Sequence, residues 1–151
     1  MKYKIALFGV KSDTHFIYSN LRHEIDLGIT LDDREKSNYH ISGVASLKNS
    51  YINCFESDCY KLDSKSCDTF FQTNEFDLGI VVGWQRLIPA KVLNQFKYGV
   101  YGFHASPLGL PFGKGRSPLN WSIIKGYKQV YNHCFKYNPQ IDDGDIFSTT
   151  K

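Results

Sequence analysis

Short runs of apolar residues alternate along the chain with segments in which apolar residues recur at helical spacing. The first run, Ile5 to Val10, is continuous and stops at polar residues, as is typical of a strand buried on both faces. Ser12 or Asp13 then caps a predicted helix, and Gly28 supplies its C-terminal cap. The apolar residues of this helix are Phe16, Ile17, Leu21 and Ile25.

The middle of the chain has a less regular pattern. Residues 29–38 are mostly polar and charged, which favours a loop, and Ile41 to Leu47 is a candidate second strand. The pattern of Tyr51 to Leu62 stays open between a short strand and a loop. A helix capped by Ser64 is predicted over 64–75, and Leu78 to Val82 is the clearest strand of the sequence.

The second half alternates strands and helices in the same way. Pro89 fits the first turn of a short helix, and the strand Val100 to Phe103 delivers His104 at its C-terminal end. The remaining predicted elements are a helix over 117–126 and two strands over 130–137 and 145–150, which flank an acidic turn.

This alternation predicts an α/β fold, with an open, mostly parallel, Rossmann-like sheet and helices on both faces. The length of 151 residues fits one domain. Sheets of this kind bind ligands beyond the carboxyl ends of their strands. The rule points to three segments, which are 83–89, the stretch after His104, and 142–145.

Composition and motifs narrow the function classes. The 18 basic and 15 acidic residues are scattered and leave a net charge of only +3, so nucleic acid is not an expected partner. The first apolar run is too short for a signal peptide or a membrane span, so we expect a cytoplasmic protein. The four cysteines and five histidines lack a zinc-binding spacing, so no metal is expected. The glycine pattern of dinucleotide-binding turns and the phosphate-binding loop are also missing.

A histidine and a cluster of aspartates are the candidate catalytic groups. His104 precedes a loop rich in glycine and proline that can pass close to a substrate, and Asp142, Asp143 and Asp145 lie on a second turn. A carboxylate beside a histidine keeps the ring protonated or in one tautomer, which equips it to stabilise an oxyanion or move a proton. The alternative interpretation is a hydrogen-bonded core histidine with an exposed acidic turn.

The order of residues around this histidine resembles the folate-dependent formyltransferases, which include the glycinamide ribonucleotide, methionyl-tRNA and sugar N-formyltransferases. The family pattern is a strand, an H-x-S-x-L-P-like loop with glycine and P-x-x-W, and a D-x-G-x-I turn. The matching residues are His104, Ser106, Leu110, Pro111, Gly115, Pro118, Trp121, Asp142, Gly144 and Ile146. The resemblance covers about residues 76–151 and implies the formyltransferase fold.

The resemblance implies N10-formyltetrahydrofolate as co-substrate and a primary amine as acceptor. His104 would stabilise the oxyanion of a tetrahedral intermediate, and Asp142 would keep His104 charged and help to remove a proton from the amine. The residues that match the pterin-binding segments are Gln85, Arg86, Leu87, Ile88, Gln140 and Ile141. The predicted acceptor-binding residues are Ser106, Lys114 and Arg116, of which the two cations would meet a phosphate unless they are simply solvated.

Two positions depart from the family pattern. The family has an asparagine two residues before the histidine, where it polarises the formyl carbonyl, and this chain has Gly102. The loop from Pro107 to Arg116 is two residues longer than the usual form. The sequence also reaches Lys151 without the C-terminal extension that family members usually carry, so we expect a catalytic domain over 1–151.

Three functions stand as alternatives. The G-R-S-P-L-N-W run over 115–121 is most similar to the sugar-modifying branch, so the leading hypothesis is formylation of a nucleotide-linked amino sugar. Methionyl-tRNA is the second acceptor, and the mild net charge disfavours it. A folate-binding or interaction module without turnover is the third, motivated by Gly102. The oligomeric state stays open, a dimer included.

Overall fold

The computed structural model describes residues 2–45 and 53–151, and it has the α/β fold that the sequence predicts. Contacts divide the chain into two compact units, Met1–Val100 and Tyr101–Lys151. The elements in chain order are β1 (Ile5–Phe8), α1 (Ser12–Leu21), β2 (Leu27–Leu31), α2 (Asp33–Ser37), β3 (Cys54–Ser57), α3 (Lys65–Thr73), β4 (Leu78–Val81), α4 (Ala90–Leu93), β5 (Val100–Ser106), α5 (Pro118–Ile124), β6 (Tyr131–Lys136) and β7 (Ile146–Thr150).

The first unit is built on four parallel strands in the order β3-β2-β1-β4. Leu7 of β1 pairs in register with Gly28 of β2 on one side and with Ile80 of β4 on the other. Leu7 and Phe8 are fully buried, since β1 has a strand on each side and is covered on both faces. This burial explains why the first apolar run shows no polar alternation.

The helix after β3 is confirmed together with its cap. The Ser64 hydroxyl accepts a hydrogen bond from the backbone N–H of Cys67 at 3.2 Å, which satisfies one of the free donors in the first turn of α3. On the buried side of α3, the ring of Phe71 stacks on that of Phe8 with their centroids 6.4 Å apart. The predicted strand after this helix is β4.

The structure corrects the prediction between the first helix and residue 38. Helix α1 ends at Leu21, and Gly28 lies inside β2 instead of capping the helix. The stretch 29–38, predicted as a loop, contains the end of β2 and all of α2. The three apolar residues of β2 are separated by Gly28 and Thr30, and charged residues follow at once, so no continuous apolar run signals this buried strand. Asp32 caps α2 by accepting the backbone N–H of Glu35 at 2.5 Å.

The predictions for two further middle segments can be compared with the structure only in part. Residues 41–45 of the predicted strand form turns, with one isolated bridge from Val44 to Lys11, and positions 46 and 47 lie outside the described residues. The segment 51–62, left open between strand and loop, contains β3, and its first two positions also lie outside the described residues.

The second unit is an antiparallel group in which β6 pairs with β5 and with β7. The register sets Gly102 opposite Phe135 and His104 opposite His133. Side chains alternate along a strand, so these four residues share one face. His104 lies inside β5 and not after it, because β5 continues to Ser106. No helix among the described residues is long and apolar enough to span a membrane.

Candidate active site

His104 is held at both of its ring nitrogens, and it is 8% exposed. Nε2 lies 2.8 Å from the backbone carbonyl oxygen of Gly113. A carbonyl only accepts hydrogen bonds, so Nε2 carries a proton in this arrangement. Nδ1 faces Oδ2 of Asp142 at 3.5 Å, an ion-pair distance. A doubly protonated ring satisfies both neighbours.

Asp142 is fixed by its own backbone and by the loop that follows β5. Its φ is 45°, in the left-handed region that aspartate tolerates better than most residues. Oδ2 also accepts a hydrogen bond from the backbone N–H of Gly115 at 2.8 Å. The same carboxylate oxygen therefore faces His104 and anchors the loop.

Gly144 brings the acidic turn against β6. A Cβ at this position would collide with the carbonyl oxygen of Lys136. The backbone N–H of Lys136 donates a hydrogen bond to the carbonyl of Asp145 at 2.9 Å, which also ties the turn to β6. Close approach of two backbones is the physical reason for glycine in the D-x-G-x-I turn.

The predicted pterin residues of this unit lie on an ordered turn. The backbone N–H of Gln140 donates to the side-chain oxygen of Asn138 at 2.9 Å, and the Asn138 amide donates to the carbonyl of Asp143 at 3.0 Å. Gln140 and Ile141 are both exposed, Ile141 at 55%. Their contact with a pterin stays a prediction.

The three predicted acceptor residues are placed in different surroundings. Ser106 is fully buried, and its hydroxyl donates to the carbonyl of Phe112 at 2.8 Å, so it shapes the loop. The Lys114 ammonium donates to the Asp143 carboxylate, and this bond lowers the pKa of Asp143. Arg116 is exposed and forms no ion pair within the part of the chain that the structure describes.

His133, which the sequence patterns did not single out, supports the loop from the opposite strand. Its Nε2 accepts the backbone N–H of Leu110 at 3.3 Å, and its Nδ1 donates to the Thr149 hydroxyl at 2.8 Å. Both bonds suit a neutral ring. Burial lowers the pKa of His133, and the charge of His104 lowers it further. The role of His133 becomes visible only from the pairing of β5 with β6, and the spacing of residues in the sequence does not give this register.

The segment 85–88 belongs to the first unit, where its backbone is well held. The backbone N–H of Gln85 donates to the hydroxyl of Tyr60 at 3.1 Å, and the guanidinium of Arg86 lies over the Tyr60 ring at 5.0 Å. Leu87 is 51% exposed, whereas Ile88 is buried, so Ile88 has only its backbone to offer a ligand.

Beside this segment, the indole N–H of Trp84 is buried without a hydrogen-bond partner among the described residues. Buried donors are nearly always satisfied by a hydrogen bond, so this N–H is an exception among the buried polar groups. No set of three or more histidine, cysteine, aspartate or glutamate side chains in 2–45 and 53–151 is arranged to hold a metal ion.

The relatives in sequence are methionyl-tRNA formyltransferases. That of Clostridium perfringens (strain 13) is 43% identical over 72 residues, which are 48% of this chain and 23% of the relative. That of Finegoldia magna is 28% identical over an alignment of 158 residues, which covers 100% of this chain and 50% of the relative. The chain spans half or less of the length of these curated relatives. No family model matches the chain.

The neighbours in structure have the same fold at low sequence identity. Phosphoribosylglycinamide formyltransferase from Bacillus halodurans matches with a TM-score of 0.69 at 18% identity, over 97% of this chain and 78% of that one. A sugar N-formyltransferase from a Shewanella species matches with a TM-score of 0.66 at 14% identity, over 99% and 57%.

A third neighbour was solved with its ligands. The formyltransferase PseJ from Anoxybacillus kamchatkensis, in complex with UDP-4,6-dideoxy-4-formamido-L-AltNAc and tetrahydrofolate, has a TM-score of 0.57 at 18% identity, over 97% of this chain and 59% of that one. Sequence relatives and structural neighbours together confirm the resemblance to the formyltransferases and the Rossmann-like fold that it implies.

Proposed function

We propose that this chain, whose sequence relatives and structural neighbours are formyltransferases, transfers a formyl group from N10-formyltetrahydrofolate to a primary amine. The single observation that carries the proposal is the His104–Asp142 pair, with Nδ1 and Oδ2 3.5 Å apart. A buried histidine beside a fixed carboxylate supplies a cationic donor for an oxyanion.

The reaction needs one bond formed, one broken and one proton moved. The amine nitrogen attacks the formyl carbon, and the carbonyl oxygen becomes an oxyanion. The bond between the formyl carbon and N10 then breaks. The amine loses a proton and N10 gains one, so the products are a formamide and tetrahydrofolate. Asp142 assists the loss of the amine proton, and His104 donates to the oxyanion.

The Nε2 proton of His104 is the donor that this geometry offers. In the structure it is donated to the Gly113 carbonyl, while Nδ1 faces Asp142. Binding of a formyl oxygen at Nε2 therefore requires the loop to give up the Gly113 bond. Gly113 has a φ of 71°, and it lies in the loop that is longer than the family pattern.

The segments proposed for the folate are 85–88 in the first unit and 140–141 in the second. The Tyr60 hydroxyl holds the backbone N–H of Gln85, and the segment Gln85–Ile88 is proposed to contact the pterin mostly through its backbone. The exposed Gln140 and Ile141 are proposed for the same ligand. The co-substrate supplies the activated formyl carbon, and the protein supplies position and charge.

A nucleotide-linked amino sugar is the proposed acceptor. Lys114 and Arg116 lie close in sequence on the loop whose Gly113 carbonyl contacts His104, and two cations suit a diphosphate. The mild net charge of +3 also fits a small acceptor better than a nucleic acid. A structural neighbour that was solved with a UDP-linked formamido sugar agrees with this choice.

Methionyl-tRNA is the second candidate, because the curated relatives in sequence carry that name. The decisive experiment incubates the protein with 10-formyltetrahydrofolate and either UDP- and dTDP-linked amino sugars or methionyl-tRNA, and follows the release of tetrahydrofolate. A His104→Ala variant is the control for catalysis, and His40→Ala, which changes an exposed histidine, is the control for the substitution.

Turnover with an amino sugar that is lost in His104→Ala and kept in His40→Ala supports the proposal. Turnover with methionyl-tRNA alone supports the second candidate. Folate binding without turnover on any amine contradicts formyl transfer and favours a binding module.

A further inference from the structure

The space beside Gly102 is occupied by another side chain of the same unit. A Cβ built on Gly102 would lie 2.5 Å from the hydroxyl oxygen of Tyr137 and 2.6 Å from its Cζ. No side chain at position 102 can coexist with the phenol in this place, because such contacts are far below van der Waals separation. The tyrosine ring at 137 therefore occupies this space only because residue 102 is glycine.

Tyr137 shares the face of the sheet that carries the candidate catalytic histidine. It follows β6, and by strand alternation it lies on the same face as Phe135, the register partner of Gly102. Its ring stacks on that of Phe135 with the centroids 5.0 Å apart. Gly102 and His104 are two residues apart on β5 and share this face too. The phenol is thus held beside the position two residues before the histidine.

The hydroxyl of Tyr137 is available as a donor. No hydrogen bond engages it within 2–45 and 53–151. Burial raises the pKa of Tyr137 to about 12, and the nearby negative charge of Asp142 adds to this effect. The group is therefore protonated at neutral pH and remains so when Asp142 is ionised.

We propose that Tyr137 is a catalytic residue, whose hydroxyl donates a hydrogen bond to the formyl oxygen from the space beside Gly102. This role rests on the proposed function. When the amine attacks, the carbonyl oxygen gains negative charge, and the hydrogen bond from Tyr137 strengthens. Tyr137 keeps its proton throughout, and the proton balance between the amine and N10 is unchanged. One such donor is worth about 100-fold in rate.

The first test is Tyr137→Phe, which removes the hydroxyl and keeps the ring that fills the space beside Gly102. The matched control is Tyr101→Phe, on the adjacent residue of β5, which points to the opposite face. We expect Tyr137→Phe to lower kcat by about 100-fold with little change in KM, and Tyr101→Phe to change neither. Equal thermal unfolding of the two variants excludes a folding defect.

The second test exploits the shared space. Tyr137→Ala opens the place beside position 102, and Gly102→Asn then has room for its side chain. We expect each single substitution to lose activity and the double variant, Gly102→Asn with Tyr137→Ala, to recover part of it. Recovery in the double variant requires a donor at this place and not the tyrosine ring itself.

A binding readout completes the design without an acceptor. In protein labelled with carbon-13 at the tyrosine Cζ atoms, we expect the Tyr137 signal to shift with 10-formyltetrahydrofolate and to shift little with tetrahydrofolate, which lacks the formyl oxygen. Full kcat in Tyr137→Phe, or equal shifts with both folates, overturns the role of Tyr137 and leaves the proposed function intact. A wild-type protein that transfers no formyl group to any amine and does not hydrolyse 10-formyltetrahydrofolate overturns both.

Discussion

Oδ2 of Asp142 lies 3.5 Å from Nδ1 of His104, and the same oxygen accepts the backbone N–H of Gly115 at 2.8 Å. The carboxylate is thus oriented by the loop and not by the histidine alone. A charge fixed in this way keeps its position when the histidine donates to a substrate, which is the condition for preorganised stabilisation of an oxyanion.

Asp142→Asn tests the charge and keeps the shape. The amide oxygen can still accept the Gly115 N–H, so we expect normal folding and a loss of kcat of about 100-fold or more, because the partner charge of His104 is gone. Asp145→Asn, an exposed aspartate on the same turn, is the control, with activity near that of the wild type. Steady-state kinetics of both variants decide the point, and equal losses in the two would contradict a special role for Asp142.

His133 makes the stability depend on pH below neutrality. Its pKa is lowered in the folded protein from the ordinary value of 6.5, so the unfolded chain binds a proton more readily. The stabilisation is therefore complete above pH 6.5 and is lost as the pH falls through the lowered pKa. Urea unfolding at a series of pH values measures the free energy of unfolding.

In that series, we expect His133→Gln to show a smaller loss of stability on acidification than the wild type. His40→Gln, which changes an exposed histidine, should keep the wild-type slope. If the free energy of unfolding depended on pH in the same way in all three proteins, a contribution of His133 would be contradicted.

Lys114 and Arg116 are predicted to act on acceptor binding. If they meet a diphosphate, Lys114→Met and Arg116→Met each raise the KM for a nucleotide-linked amino sugar by roughly tenfold and leave kcat almost unchanged. Lys125→Met removes an exposed cation after α5 and serves as the control. An unchanged KM in both loop variants would contradict a role of these cations in acceptor binding.

Gly144 is predicted to be required for folding of the acidic turn. In Gly144→Ala the new methyl group collides with the Lys136 carbonyl, and we expect a loss of at least about 3 kcal/mol in the free energy of unfolding. Gly126→Ala places a methyl group in open space at a φ of 67° and isolates the cost of backbone strain, about 1 kcal/mol. Similar losses in the two variants would contradict the collision.

Tyr137 is predicted to ionise at a higher pH than an ordinary tyrosine. The chain has 10 tyrosines, and the raised pKa of Tyr137, about 12, sets it above the ordinary value of 10.0. The contribution of Tyr137 to stability is complete below pH 10 and is lost as the pH rises through 12, since the unfolded chain loses the phenol proton at lower pH. An alkaline titration of phenolate absorbance should show a component near pH 12 in the wild type that is missing in Tyr137→Phe.

Much of the fold was predictable because its signals are local. A continuous apolar run identified β1, a capping serine identified α3, and proline after Ser117 identified the start of α5. Strand β2 was missed because its three apolar residues are separated by Gly28 and Thr30, and helix α2 was missed because it has no apolar residue. Tertiary burial decides such short segments, and burial is not encoded in their periodicity.

The residues of the candidate site were also predicted only in part. The motif order predicted His104 and Asp142, and the structure brings them together. His133 and Tyr137 were not predicted, because their roles depend on which residues face each other across β5 and β6. Gly102 was the visible signal for Tyr137, since a missing side chain leaves a space that another residue can fill.

The most direct test of formyl transfer at the His104–Asp142 pair is tetrahydrofolate release from 10-formyltetrahydrofolate in the presence of a nucleotide-linked amino sugar. The account predicts turnover in the wild type and in Asp145→Asn, and a loss of about 100-fold or more in His104→Ala and Asp142→Asn. Equal rates in all four proteins, or no acceptor-dependent release in the wild type, would contradict it.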